Sequence, residues 1–176
     1  MKANVLLPVC LALAVLSACA PKAAPPAPAP RPIAIPAPAP QAVPRPAGDW
    51  RDVPLTAGTW TWTIAAARST ASFGLAGQVP LVQLTCLTKG TVQLAHLGAA
   101  DSPIPLGITT SSGTFPLMSD PVSPGASGIT ATLPAGAAVL DAMAHSRGRF
   151  VIDVPGQPPS YLPAWPEVAR VVEDCR

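Results

Sequence analysis

Apolar and polar residues alternate along much of this chain. Thr59-Trp60-Thr61-Trp62-Thr63-Ile64 alternates strictly and puts Trp60, Trp62 and Ile64 on one face of a strand. The same period of two runs through Ser69–Phe73, through Leu81–Leu87 with Val82, Leu84 and Cys86 on one face, and through Thr91–Leu97 with Val92, Leu94 and His96. It returns in Leu106–Thr110, in Thr114–Leu117 and around Ile129, Ala131 and Leu133. It appears again in Arg149–Val154, with Phe150, Ile152 and Val154 inward, and in the short run Ser160–Leu162. Lys89-Gly90 and Ser111-Ser112-Gly113 are turn sequences, so the strands flanking each are read as hairpins. Asp101–Pro105 and Asp120–Gly128 read as loops.

Twice the period lengthens to that of a helix. Val139, Leu140 and Met143 mark a short amphipathic helix over Ala137–His145. Val168, Val171, Val172 and Cys175 recur at i, i+3, i+4 and i+7 and mark a second, beginning at Pro166. Proline suits a first helical turn, where its missing N–H is not needed, and Glu167 complements the positive end of the helix dipole. Many short strands with turns between them predict a mainly β fold, an antiparallel sandwich or barrel, with two short helices near the C-terminus.

The beginning of the chain follows different rules. Met1-Lys2 gives a positive start, and Val5–Leu16 is apolar apart from Pro8. This is the layout of a secretory signal, and it is shorter than the roughly 20 apolar residues of a membrane span. It closes on Leu16-Ser17-Ala18-Cys19, which resembles the lipobox of bacterial lipoproteins. That resemblance implies diacylglycerol on the Cys19 sulfur, cleavage before Cys19, and a further acyl chain (palmitate) on the new amino group. One acyl chain binds a membrane reversibly, whereas two or more hold durably. Ala20 stands where an aspartate would resemble an inner-membrane retention signal, so the resemblance implies the periplasmic face of the outer membrane. The other reading of the same residues is an ordinary signal cut at Ala18-Cys19-Ala20, which would leave a soluble periplasmic protein.

Residues 21–47 hold eleven prolines, mostly separated by alanine. Proline fixes φ and lacks an N–H, so neither helix nor central strand is expected there. An extended polyproline II spacer is expected instead, reaching on the order of 80 Å at about 3.1 Å per residue. The predicted organisation is therefore a signal over 1–18, a lipidated cysteine with its Pro/Ala-rich linker over 19–47, and a β domain over 48–176.

Composition narrows what that domain does. All nine acidic residues fall within it, against Arg51, Arg68, Lys89, Arg147, Arg149, Arg170 and Arg176. The domain is slightly acidic and carries no basic footprint for nucleic acid. Charged residues make up 11% of the chain, well under the usual quarter or so, which limits any catalytic cluster. Of four cysteines, Cys10 leaves with the signal and Cys19 takes lipid. Cys86 and Cys175 remain, an even pair in an oxidising compartment, each on an apolar face; a disulfide is the favoured reading and two buried thiols the other.

Candidate chemistry is sparse. Asp141 and His145 lie four apart on a helix with Ser146 alongside, which favours an ion pair over a catalytic triad because no nucleophile elbow surrounds the serine. His96, on an apolar strand face, reads as a hydrogen-bonded histidine rather than a metal ligand, and no metal or cofactor is expected. Arg147-Gly148-Arg149 could receive a carboxylate or form a solvated turn. Trp60 and Trp62 are expected in the core, while Trp50 and Trp165 are candidates to line a binding groove.

Two further resemblances bear on the domain. Leu140-Asp141-Ala142-Met143-Ala144, the strand Arg149–Val154 and a last helix ending at Cys175 resemble periplasmic β-sandwich proteins of the invasion-associated locus B type and certain type VI secretion accessory proteins. The resemblance implies a fold and carries over no catalytic residue. Ser111-Ser112-Gly113 resembles the Ser-Gly loop of periplasmic lysozyme inhibitors, although Thr114-Phe115 departs from that pattern. The expectation is a non-enzymatic, lipid-anchored envelope protein whose β domain meets an envelope protein or peptidoglycan; inhibition of a lysozyme-like hydrolase is the alternative.

Overall fold

The computed structural model describes residues 48–122, 125 and 127–176. The signal, Leu16–Cys19 and the proline-rich linker lie outside the described residues. Among the described residues nine strands and two helices follow in the order β1 (Thr59–Ala65), β2 (Arg68–Gly74), β3 (Val82–Thr88), β4 (Thr91–Leu97), β5 (Pro105–Thr110), β6 (Gly113–Met118), β7 (Gly128–Pro134), α1 (Ala138–Ala144), β8 (Arg149–Asp153), β9 (Ser160–Pro163) and α2 (Pro166–Asp174). They form two antiparallel sheets, β1-β2-β3-β4-β7 and β6-β5-β8-β9, as the alternation predicts.

Register explains why alternation is so clean. Trp60 faces Phe73, Phe73 faces Val82, and Val82 faces His96, which faces Ile129. One apolar row therefore crosses all five strands of the larger sheet. In the smaller sheet Ile108 faces Ile152, and Phe150 faces Leu162. These two inner faces make the core, with Phe73, Leu84, Ile108, Phe150 and Leu162 fully buried. A one-residue slip in any pairing would turn that strand's apolar set to water, so the pattern itself fixes the register.

The predicted inner row on β1 stops short. Trp60 is buried, Trp62 is half-buried and Ile64 is 60% exposed. β1 is an edge strand, and only its first turn of residues reaches core partners of the opposite sheet. Trp60 lies 5.3 Å from the Phe73 ring and 6.4 Å from the Phe150 ring, and its Nε1–H donates to the Pro163 carbonyl of β9 at 2.8 Å. Trp62 instead meets α2: the Arg170 guanidinium lies 3.5 Å from its ring centroid. Its indole N–H donates to Ser69 Oγ, whose hydroxyl donates in turn to Asp174.

Two hairpins turn where glycine allows it, at Lys89-Gly90 with φ 87° at Gly90, and across Ser111-Ser112. A third, between β1 and β2, turns through Ala66 and Ala67 at φ 49° and 60°. Left-handed backbone at two consecutive alanines goes against their preference, since each Cβ crowds its own carbonyl.

The helices bind the sheets together. α2 rests on β2 and β3 through Val168, Val171 and Val172, and α1 rests on α2 and β5. Cys86 of β3 and Cys175 at the end of α2 form a disulfide across 89 residues. The same corner carries Lys89 Nζ donating to the carbonyl oxygens of Asp174 and Arg176, and Gly90 N–H donating to the Cys175 carbonyl at 2.7 Å. Asp141 pairs with Arg176 at 2.5 Å rather than with His145. His145 is the C-cap of α1, where the backbone leaves the helix at φ −108°, so its side chain departs from the line through Asp141.

Candidate binding groove

The outward face of the smaller sheet gathers aromatic, carboxylate and hydroxyl groups around one groove. Pairing brings them together: Val151 faces Tyr161 on β9 and Thr109 on β5, and Asp153 faces Gly107. Arg149, Val151 and Asp153 thus form one outward row on β8. Val151 and Tyr161 are nonetheless buried, although they stand outside the core cluster. The segment leading into β1 lies against them, with Trp50 beside both in one groove.

That segment is held at three points. Thr56 N–H donates to the Tyr161 carbonyl at 2.9 Å, and Tyr161 N–H donates to Thr56 Oγ1 at 2.9 Å, so Thr56 extends the sheet along the edge of β9. Arg149 Nη1 donates to the Val53 carbonyl. The chain then crosses to the larger sheet at Gly58, where φ is 146° and a Cβ would stand 2.9 Å from the Phe73 ring. Upstream, Trp50 is half-buried against the sheet, and the Arg51 guanidinium lies 4.7 Å from its ring centroid. Arg51 also pairs with Asp49 at 3.1 Å. Hydrogen bonding from Arg51 N–H is the main reason that the Asp49 carboxyl sits below its ordinary pKa.

Trp50, Thr109, Val151, Asp153, Pro159 and Tyr161 enclose a groove of about 160 Å³. Flat rings, a proline and a valine supply apolar contact, and one carboxylate supplies charge. Such a lining suits an extended apolar segment or a ring that packs on flat faces.

The other sequence candidates lie elsewhere. Arg147 is exposed on the turn between α1 and β8, where its N–H donates to Ser111 Oγ. Trp165, 43% exposed, is the N-cap residue of α2 and sits beyond the same end of the β8–β9 ladder, where Ala164 N–H meets the Gly148 carbonyl. The structure therefore brings Trp50 and Arg149 to one face and places Arg147 and Trp165 past its end. Thr109, Asp153, Pro159 and Tyr161 were not singled out in the sequence; alternation of β8 and β9 could have put Asp153 and Tyr161 on one face, but not beside Trp50.

The remaining polar candidates are structural. Ser146 is buried; its hydroxyl donates to the Arg149 carbonyl at 2.5 Å and accepts from Ser111 N–H at 3.0 Å, so it staples the α1–β8 turn to the β5–β6 hairpin. Ser111, of the Ser-Gly loop, is engaged in the same staple. His96 is buried between the sheets, with Nδ1 2.8 Å from the Leu97 carbonyl and Nε2 2.9 Å from Ser160 Oγ. A carbonyl only accepts, so Nδ1 carries the proton and the neutral ring accepts from Ser160 at Nε2. Burial lowers the His96 pKa, which keeps this tautomer uncharged. Among the described residues no three metal-ligating side chains converge, and no helix is long and apolar enough to cross a membrane.

Compared with known proteins, the chain matches no family, no curated protein and no solved structure.

Proposed function

We propose that this is a non-enzymatic lipoprotein of the bacterial cell envelope. Acyl chains on Cys19 anchor it to the periplasmic face of the outer membrane, the proline-rich linker spaces it from the bilayer, and the β-sandwich presents a binding surface to an envelope component. The observation that carries the reading is the conjunction of Leu16-Ser17-Ala18-Cys19 with a domain closed by the Cys86–Cys175 disulfide. A disulfide across a long loop belongs to an oxidising compartment, which is where a lipobox delivers its protein. The groove under Trp50 is the recognition surface in this reading, because it combines aromatic faces with a carboxylate on rigid strands. An envelope protein or a peptidoglycan strand is the class of partner.

Fractionation of cells carrying the native chain and the Cys19→Ala variant tests the anchor. The native protein is expected with the outer membrane and the variant in the soluble periplasm. Identical fractionation of the two would rule the anchor out.

A further inference from the structure

We infer that the free edge of β1 is a pairing surface for a second copy of this chain, β1 against β1, antiparallel and centred on Thr63. The inference goes beyond the groove and the anchor and depends on neither.

Among the described residues the two sheets end in β1 and β7, and in β6 and β9. A bare strand edge templates pairing with another chain, and proteins blunt such edges with proline, charge or a covering segment. Three of these edges are blunted. Thr56 bonds along β9. Asp120 covers β7: its N–H donates to the Thr130 carbonyl at 2.7 Å, and its carboxylate accepts from the Thr132 N–H at 3.0 Å. β6 carries Pro116, which has no N–H to offer. β1 has none of these devices. Thr59–Ala65 includes no charge and no proline, and it is rich in the aromatic and β-branched residues that suit strands. Among the described residues β2 is the only strand paired with it.

Hairpin geometry selects the groups that face outward. Ala65 and Arg68 flank the Ala66-Ala67 turn and bond to each other, so Thr63 and Thr61 also bond toward β2. The backbone N–H and C=O of Trp62 and Ile64 point the other way. In keeping with this, the Phe73 carbonyl, opposite Trp60, accepts from Leu81 on the β3 side. A two-fold axis at Thr63 sets each Trp62 opposite the second copy's Ile64, and each such pair exchanges both N–H···O bonds. Side chains favour the same register. Ile64 is 60% exposed beside the half-buried Trp62, and pairing lays each Ile64 against the other copy's Trp62, an aromatic with a β-branched neighbour. On the outer face Thr63 meets Thr63, and Thr61 meets Ala65. No like charges stand opposed along the strand, as an edge that faces its own copy requires. α2 rests chiefly on β2 and β3, set back from this edge. A single edge pairing buries little area, so the dimer belongs to the weak, concentration-dependent class.

The test is disulfide trapping in the purified full chain over a series of concentrations. Thr63→Cys places two thiols in a non-hydrogen-bonded pair, with Cα atoms about 4.5 Å apart, a separation that a disulfide spans. Mild oxidation is expected to give a covalent dimer, and peptide mapping should show position 63 joined to position 63 with Cys86–Cys175 intact. Thr61→Cys alone should give no dimer, because its two copies stand about 14 Å apart along the strands. Thr61→Cys combined with Ala65→Cys should restore it. Adding Ile64→Pro to Thr63→Cys removes one hydrogen bond from each pair while leaving the bonds to β2, and should cut the yield about tenfold. Circular dichroism reports folding of each variant. Ile64→Lys, which charges the edge and keeps its N–H, should act in the same direction and serves if the proline variant unfolds. No dimer from Thr63→Cys, equal dimer from Thr61→Cys alone, or a yield indifferent to the folded Ile64 variants would each overturn the inference.

Discussion

The C-terminus of the domain and the segment that leads into it are attached by different means. At the C-terminal corner a disulfide joins α2 to β3, and Lys89, Gly90, Ser69, Asp141 and Ala135 all bond to the last few residues. The leading segment has no covalent tie. It lies on the smaller sheet through the paired bonds of Thr56 and Tyr161 and through Arg149 to Val53. The difference matches the load each end carries. The C-terminal helix completes the core, so its loss would open the sandwich. The leading segment lies on the outer face of the smaller sheet, and its Trp50 forms one wall of the groove.

Breaking the covalent end should cost most. Replacing both Cys86 and Cys175 with alanine is expected to lower stability by about 4 kcal/mol, the loop-closure scale for a span of this length. Urea unfolding under non-reducing conditions measures it; an unchanged midpoint would mean that the hydrogen bonds alone hold α2. At the other end, Thr56→Val removes one side-chain acceptor from the edge of β9 and should cost about 1 kcal/mol. Hydrogen exchange should then quicken at the Tyr161 amide while the amides of α2 keep their protection. Equal loosening of both regions would show that the two ends open as one unit.

The two sheets are also joined by His96, which reaches from β4 to Ser160 on β9, the strand that carries the leading segment. Its pKa is lowered in the folded state, so the unfolded chain binds the proton more readily. The stability it contributes is complete above the unfolded value of about 6.5, declines as pH falls through the interval below that value, and levels off beneath the folded pKa. The drop in urea midpoint between pH 7.5 and pH 5 should therefore be larger in the native protein than in His96→Gln. Equal drops would remove His96 from the account. The smallest effect is expected at the β1–β2 turn. Ala67→Gly should stabilise by about 0.5 kcal/mol, because relief of a left-handed alanine slightly exceeds the added freedom of glycine in the unfolded chain. A loss of stability there would argue against the left-handed turn.

Much of this fold is legible in the sequence, and the exceptions have physical causes. Strands and helices follow from periods of two and 3.6 because each element buries one face. Alternation tells which face of β1 turns inward, but not how far the opposite sheet extends over it. Trp62 and Ile64 therefore share a face with Trp60 and not its burial. The turn at Ala66-Ala67 carries no glycine, asparagine or aspartate; the pairing of β1 with β2 imposes it. Asp141 finds Arg176 because the helix ends at His145 and the C-terminus folds back beside it, a long-range event that helical spacing does not encode. The groove escaped for a similar reason. Trp50 is conspicuous as an aromatic near the domain boundary, but Thr109, Asp153, Pro159 and Tyr161 become its neighbours only through strand pairing across the smaller sheet.

The central claim is that this domain is carried on a lipidated Cys19. Intact mass measurement of the mature protein, purified from envelopes, tests it most directly. The account predicts a chain that begins at Cys19 and bears the added mass of a diacylglycerol and an amide-linked acyl chain. A mature chain that begins at Pro21, without lipid and recovered from the soluble periplasm, would contradict it.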